Sequence, residues 1–309
     1  MDRDSVAPAA RRRRDTVALT RLRSWLAALA RLPLAVRGAL AFLSRIPVGG
    51  GEPAWDAFRE TPVAFPLAGY VLGAAVAIPF VFGSGPATTA VLYLIAVYGL
   101  TGVTHVDGLA DLADAAAVHR DTADEAGDTT TEADDAASTR RAVLKDASTG
   151  VGGTLAVAVA IVALALAAFS LTPAAGGFGN VPNVGPTEPV VRAVATIVAA
   201  EVGAKAGMGV LACLGRPAHE GLGSRLVTSS RATSLPTLAL AVVPATLLAG
   251  RGGVAVLAAV VITGPATALV VRRWARKRLG GVSGDVFGAV NELGRIAGLH
   301  VGVIAWTLW

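Results

Sequence analysis

Long apolar stretches separated by short polar ones run through most of the chain, and their length suits lipid rather than a water-soluble core. A hydrocarbon layer of roughly 30 Å takes about 20 mainly apolar residues per crossing helix. Stretches of this kind run approximately Val63–Phe82, Ala87–Val103, Val151–Leu171, Val190–Cys213, Pro236–Ala249, Gly253–Val271 and Val286–Trp309. They predict an all-α polytopic bundle of about seven transmembrane helices, forming a single membrane-embedded domain over residues 32–309. A shorter apolar run, Leu32–Ile46, has Arg37 in its middle and Arg31 and Arg45 at its ends. That pattern fits an amphipathic helix lying on the membrane surface better than a crossing.

Composition supports the same class: 53% of residues are hydrophobic, 36 are glycine and the mean hydropathy is +0.60. The basic residues then supply an orientation, because short loops rich in Lys and Arg stay in the cytoplasm. With the N-terminus inside, the regions Met1–Pro62, Thr104–Gly150, Leu214–Leu235 and Arg272–Asp285 face the cytoplasm. Of the 27 Lys and Arg residues, only Arg192, Lys205, Arg251 and Arg295 fall elsewhere. The expectation is a multi-pass protein of the inner (cytoplasmic) membrane whose chemistry faces the cytoplasm.

Residues 1–31 form a basic tail, with Arg11–Arg14 followed by Arg21 and Arg23. Too polar after its charges to be a secretory signal, the tail reads as a contact with anionic membrane lipid. The net charge of +5 comes without aromatic interleaving or a nucleic-acid motif, so no nucleic-acid partner is expected. Cys213 is the single cysteine and reads as a small apolar helix residue. From Arg120 to Thr139 the chain turns acidic without large hydrophobes, and this insertion (about residues 119–139) reads as a solvated loop.

Chemistry is concentrated around that insertion. In HVDGLADLAD, the carboxylates of Asp107, Asp111 and Asp114 follow an i, i+4, i+7 spacing, which groups them within about 60° on one helix face. Three carboxylates so placed repel one another unless a cation joins them, and Mg²⁺, which takes hard oxygen ligands and bridges carboxylates to phosphates, is the natural one. Farther along, GGVSGDVFGAVNELGR places Asp285 and Glu292 seven residues apart on one face, with glycines, Gly284 among them, that let the backbone approach a ligand. Between them, Lys145–Asp146 precedes a Gly-rich turn, with Asp146 either a metal ligand or a helix cap, and GRPAHEGLGS presents Arg216 and Glu220 beside Gly221 as an anion-binding turn. Glu201 and Lys205, four apart within a span, either neutralise each other or line a polar cavity.

Six segments in order, FLSRIPVG (Phe42–Gly49), FPLAGYVLG (Phe65–Gly73), LTGVTHVDGLADLAD (Leu100–Asp114), LKDASTGVGG (Leu144–Gly153), RPAHEGLG (Arg216–Gly223) and GGVSGDVFGAVNELG (Gly280–Gly294), resemble the signatures of the cobalamin synthase family, adenosylcobinamide-GDP ribazoletransferase. The resemblance implies a Mg²⁺-dependent membrane enzyme that joins adenosylcobinamide-GDP to α-ribazole or α-ribazole 5′-phosphate and releases GMP. It implies metal and pyrophosphate binding at Asp107, Asp111, Asp114, Asp285 and Glu292, with Asp146 a further ligand. The general base is one of the acids or His105, and Lys145, Arg216, Glu220, Gly221 and Gly284 are expected to meet substrate. The sequence departs from the family pattern at Ala147–Ser148, where an Asp-Ser-Arg motif is common, at Arg295, and in the acidic insertion. Another membrane transferase of pyrophosphate-activated alcohols would share the carboxylate pairs. A transporter would instead place ionisable groups near mid-bilayer. Formation of a homo-oligomer is left open.

Overall fold

The computed structural model describes residues 30–117, 149–172 and 188–308. Lys145, Asp146, the acidic insertion and the basic tail up to residue 29 lie outside the described residues. Among the described residues the architecture is helical, and the only strand-like pairing is a single bridge between Pro217 and Val282. Eleven α-helices are seen: α1 (residues 30–43), α2 (Glu52–Arg59), α3 (Ala64–Val76), α4 (Pro86–Thr101), α5 (Thr104–Ala117), α6 (Val151–Leu171), α7 (Glu188–Leu214), α8 (Leu222–Ser229), α9 (Leu235–Val242), α10 (Gly250–Arg278) and α11 (Gly284–Leu308).

Length and composition qualify three of these to cross a membrane on their own: α6, α7 and α10. The number rises to five if two bent pairs each count as a span, namely α4 with α5 and α8 with Ala232–Leu247. The expected count of seven is therefore not reproduced. The apolar run Val63–Phe82 divides into the 13-residue α3 and a 3₁₀ turn, Ile78–Val81, that contains Pro79. In α11, Asp285, Glu292 and Arg295 interrupt the apolar pattern.

α7 is the axis of the bundle, buried over nearly all of its apolar length. Its surface of Ala and Gly allows backbones to approach closely, which substitutes in lipid for the hydrophobic driving force available in water. On α3, a Cβ at Gly69 would stand 2.8 Å from Val202 Cα, and one at Gly73 would stand 2.8 Å from Val198 Cα. On α10, a Cβ at Gly264 would fall 1.8 Å from the carbonyl oxygen of Gly203. α11 runs antiparallel to α7, with Gly294, Gly298 and Gly302 against Ala204, Ala200 and Thr196. α6 has the opposite character: Val151, Leu155, Val159, Val162 and Leu166 form one exposed apolar stripe. α1 is not uniformly amphipathic at a surface, since Ala35, Ala39 and Leu43 enter the same core as α2 and α3 while Arg37 turns outward to bond the carbonyl of Val48 at 2.6 Å.

One end of the bundle collects chain termini of many helices. α7 and α10 end there, tied by Arg272 Nε donating to the Leu214 carbonyl at 2.7 Å, and α11 begins there after a short turn. α6 also begins at this end, and α5 lies across it, turned 93° from α4.

Candidate active site

The turn from α4 into α5 sets up the site. Gly102, at φ +72°, takes the chain out of the helix in a conformation that glycine adopts without a Cβ penalty. The Arg45 amide donates to the Leu100 carbonyl at 2.7 Å and pins the segment after α1 against this elbow. Beyond it, Asp107 is exposed and lines an open cleft of about 300 Å³ together with Val103, Val106, Ala110, Thr149, Thr154 and Val157. The cleft thus lies between α5 and the start of α6.

α5 crosses the first turns of α11 at glycine contacts. A Cβ at Gly108 would stand 2.8 Å from Asp285 Cα, and one at Gly288 would stand 2.8 Å from the His105 carbonyl oxygen. This approach puts Asp285 beside the acidic face of α5. Asp285 is in the first turn of α11, where a negative charge is favoured by the helix dipole, and it accepts a bond from Ser283 Oγ at 3.0 Å. The Asp111 carboxyl is pushed up to about 6 by partial burial and then by the charges of Asp107, Asp285 and Asp114. The two sequence motifs therefore share one field.

Asp114 has a second task. Its Oδ2 accepts from the Gly150 amide at 2.7 Å and its Oδ1 from the Gly153 amide at 2.8 Å, so it caps α6 from across the cleft. Gly150 and Gly153 leave room for it, since a Cβ at either would lie within 2.5 Å of its oxygens. Asp114→Ala should lower stability by about 0.5–2 kcal/mol, the usual cost of a lost N-terminal cap, measured by thermal unfolding in detergent. An unchanged midpoint would remove Asp114 from this role.

The loop expected to bind anions pairs with the turn before α11: Val282 N donates to the Arg216 carbonyl at 2.7 Å, and Ala218 N donates to that of Val282 at 3.1 Å. Arg216, Glu220 and Gly221 are exposed on it, and Gly284 is exposed beside Asp285. Gly221 N donates to Ser224 Oγ at 3.0 Å, closing the loop onto α8.

Glu292, seven residues beyond Asp285 on α11, is buried in the interior of the bundle. It is 1% exposed, and both its oxygens accept from Arg295 Nη1 at 2.8 Å. Arg295 Nε also donates to Glu201, which accepts from Lys205 Nζ. Asn291 Nδ2 donates to Glu292 at 3.0 Å and lies 3.2 Å from His105 Nδ1. A buried network of two acids and two bases thus joins the middle of α7 to the start of α5. His105 belongs to this interior, at 7% exposure, and not to the cleft.

The model of the cobalamin-5-phosphate synthase family matches residues 35–303. The chain belongs to this family. It is 45% identical over 276 residues to the adenosylcobinamide-GDP ribazoletransferase of Haloquadratum walsbyi, covering 89% of this chain and 98% of the relative. With the protein of the same name from Halorubrum lacusprofundi it shares 47% identity over 274 residues, 88% of this chain and 98% of the relative. A more distant one, from Methanococcoides burtonii, is 30% identical over 282 residues, 89% and 93%. No solved structure matches the chain.

In this member of the cobalamin-5-phosphate synthase family, the acidic cluster supplies only hard oxygen donors. Among the described residues no three His, Cys, Asp or Glu side chains close on one point as a complete cage. Mg²⁺ asks for less, since it commonly takes one or two carboxylates and fills its octahedron with water and phosphate oxygens. Asp111 is raised by burial and then by the neighbouring carboxylates, and such a cation would relieve the second of these. Sequence reasoning gave Arg45 and Thr154 no functional role and met Thr149 only as a helix-capping candidate. Thr149 and Thr154 enter through the cleft wall, which carried no signal beyond adjacency to a Gly-rich turn. Arg45 sits within FLSRIPVG, a segment that marks the family resemblance without revealing a contact.

Proposed function

We infer that this chain is an adenosylcobinamide-GDP ribazoletransferase, joining adenosylcobinamide-GDP to α-ribazole or its 5′-phosphate with release of GMP in the late assembly of cobalamin. The observation that carries the reading is the meeting of Asp107, Asp111 and Asp285, from two motifs far apart in sequence, at one open end of the bundle. Near full-length similarity to proteins of that name supports it.

In the reaction, a ribazole hydroxyl oxygen bonds to the phosphorus on the cobinamide side, the P–O bond to GMP breaks, and GMP leaves with the electron pair. The hydroxyl proton passes to a carboxylate of the cluster. One or two carboxylates from among Asp107, Asp111 and Asp285 would hold Mg²⁺ with water and phosphate oxygens, and when bound it would supply positive charge to the pyrophosphate as a Lewis acid. Asp114 holds the cleft wall, and Asp146 and Lys145 stay as candidates on sequence grounds. His105 and Glu292 position α5 from the interior, while Arg216, Glu220, Gly221 and Gly284 border the substrate approach.

This end of the bundle faces the cytoplasm in our reading. Arg225, Arg231, Arg273, Arg276, Lys277 and Arg278 are exposed on α8, α10 and the turn after α8, as the positive-inside rule favours, and large polar substrates arrive from that side. Lipid covers the apolar stripe of α6.

Purified protein in liposomes, given adenosylcobinamide-GDP and α-ribazole, should release GMP and form a ribazole-bearing corrinoid in equal amounts, and only with Mg²⁺ present. Absence of turnover by folded protein, or GMP without the joined product, would overturn the assignment.

A further inference from the structure

We propose that Arg45 is the residue that grips the phosphates of the nucleoside-diphosphate-activated substrate, an inference that rests on the transferase reading.

Arg45 is held in place by its backbone and left free at its tip. α1 ends just before it, Ser44 Oγ donates to the Leu40 carbonyl at 2.7 Å and accepts from the Ile46 amide at 3.3 Å, and the Arg45 amide is fixed to Leu100. The guanidinium then lies on the bare backbone of Gly102: a Cβ there would be 2.8 Å from Nε and 3.4 Å from Cζ and Nη2. Gly102 is favoured here by its positive φ, and its lack of a Cβ lets the arginine rest on it. The chain from this glycine runs straight into Val103 and Asp107, which line the cleft.

Three other arginines around this end are held by partners, while Arg216, on the loop bordering the substrate approach, is exposed like Arg45. Arg37 bonds the Val48 carbonyl, Arg59 pairs with Asp56 at 2.8 Å, and Arg272 bonds the Leu214 carbonyl. Arg45 is exposed and makes no side-chain hydrogen bond or ion pair among the described residues. Its flat fork of five N–H donors matches the paired oxygens of a phosphate, a geometry that lysine does not reproduce. Charge balance also calls for it. A pyrophosphate diester carries a negative charge on each phosphate and meets three carboxylates, so one divalent ion leaves the site negative. A further negative charge then develops on the departing GMP oxygen, where a fixed cation is most effective.

The test uses full-length protein in liposomes with GDP and Mg²⁺ as the binding probe, alongside turnover. Arg45→Ala should weaken GDP binding at least about tenfold and lower kcat by about 10²–10³-fold, the range for loss of one charge-stabilising donor. Arg45→Lys should recover only part of either. Added guanidinium should restore activity to Arg45→Ala, which a purely structural loss would not allow. Wild-type GDP affinity in Arg45→Ala, or a loss that Arg45→Lys repairs fully and guanidinium does not, would overturn the proposal. Should wild-type protein bind GDP through Arg45 yet join no ribazole, the transferase reading fails and the phosphate grip stands.

Discussion

Asp107→Ala and Asp285→Ala should each lower kcat by at least about 10²–10³-fold while the protein still inserts and unfolds at its normal temperature. The expectation of a large chemical effect comes from convergence: Gly108 brings the Asp285 backbone against α5, and the Asp111 carboxyl is raised by burial first and then by the charges of Asp107 and Asp285. The expectation of unchanged stability comes from exposure. Asp107 is at the surface, and Asp285 bonds only the neighbouring Ser283 hydroxyl among described side chains. Removing either carboxylate relieves repulsion, and the only bond given up is the one from the buried Ser283 hydroxyl to Asp285, so the folded state loses little. Asn at the same positions separates charge from shape, because it keeps an oxygen ligand but not the negative charge. Activity within a few-fold of wild type in both alanine variants would sink the acidic cluster as the reacting site. A drop accompanied by a large loss of stability would move these residues to a structural role.

The sequence made some of this legible and hid the rest for identifiable reasons. Val151–Leu171 is both the expected span and the observed α6, because an uninterrupted apolar run bounded by Gly150 and Pro173 leaves little choice. The Val190–Cys213 span became Glu188–Leu214, a shift within the fraying of helix ends. Helical spacing grouped Asp107 and Asp111 correctly on α5. The same spacing put Asp285 and Glu292 on one helix but could not tell that Glu292 is buried, because periodicity tells which residues share a face and not which neighbour that face meets. Once α11 packs antiparallel on α7, the side that carries Glu292 and Arg295 is the interior. Glu201 and Lys205 showed themselves as an i, i+4 pair, but the third member, Arg295, comes from another helix and has no local signature. Arg45 was hidden similarly, since its significance depends on an elbow 57 residues away. The count of seven is not reproduced among the described residues where glycine, proline and charge make short or broken helices that composition averages over.

Arg295→Leu should be the most damaging single substitution for stability, costing about 3–5 kcal/mol, the range for breaking a buried ion pair by removing one partner. Arg295 is 0% exposed and serves two acids at once. Its loss leaves Glu201 with Lys205 alone and leaves Glu292 with only the Asn291 amide among described residues, both at 1% exposure. Water cannot reach Glu292 to repay its desolvation, and protonating it is the remaining escape. The double variant Glu292→Leu with Arg295→Leu removes equal and opposite charge, so it should cost less than Arg295→Leu alone; thermal unfolding in detergent gives the comparison. An additive result would mean that the two side chains do not interact as drawn. Turnover by the double variant then decides what the network is for. Through Asn291 the pair is linked to His105, two residues ahead of Asp107 on α5. If the network fixes that helix, the double variant will stay folded yet lose kcat, with GDP affinity little changed; full activity would make the network a device of stability alone.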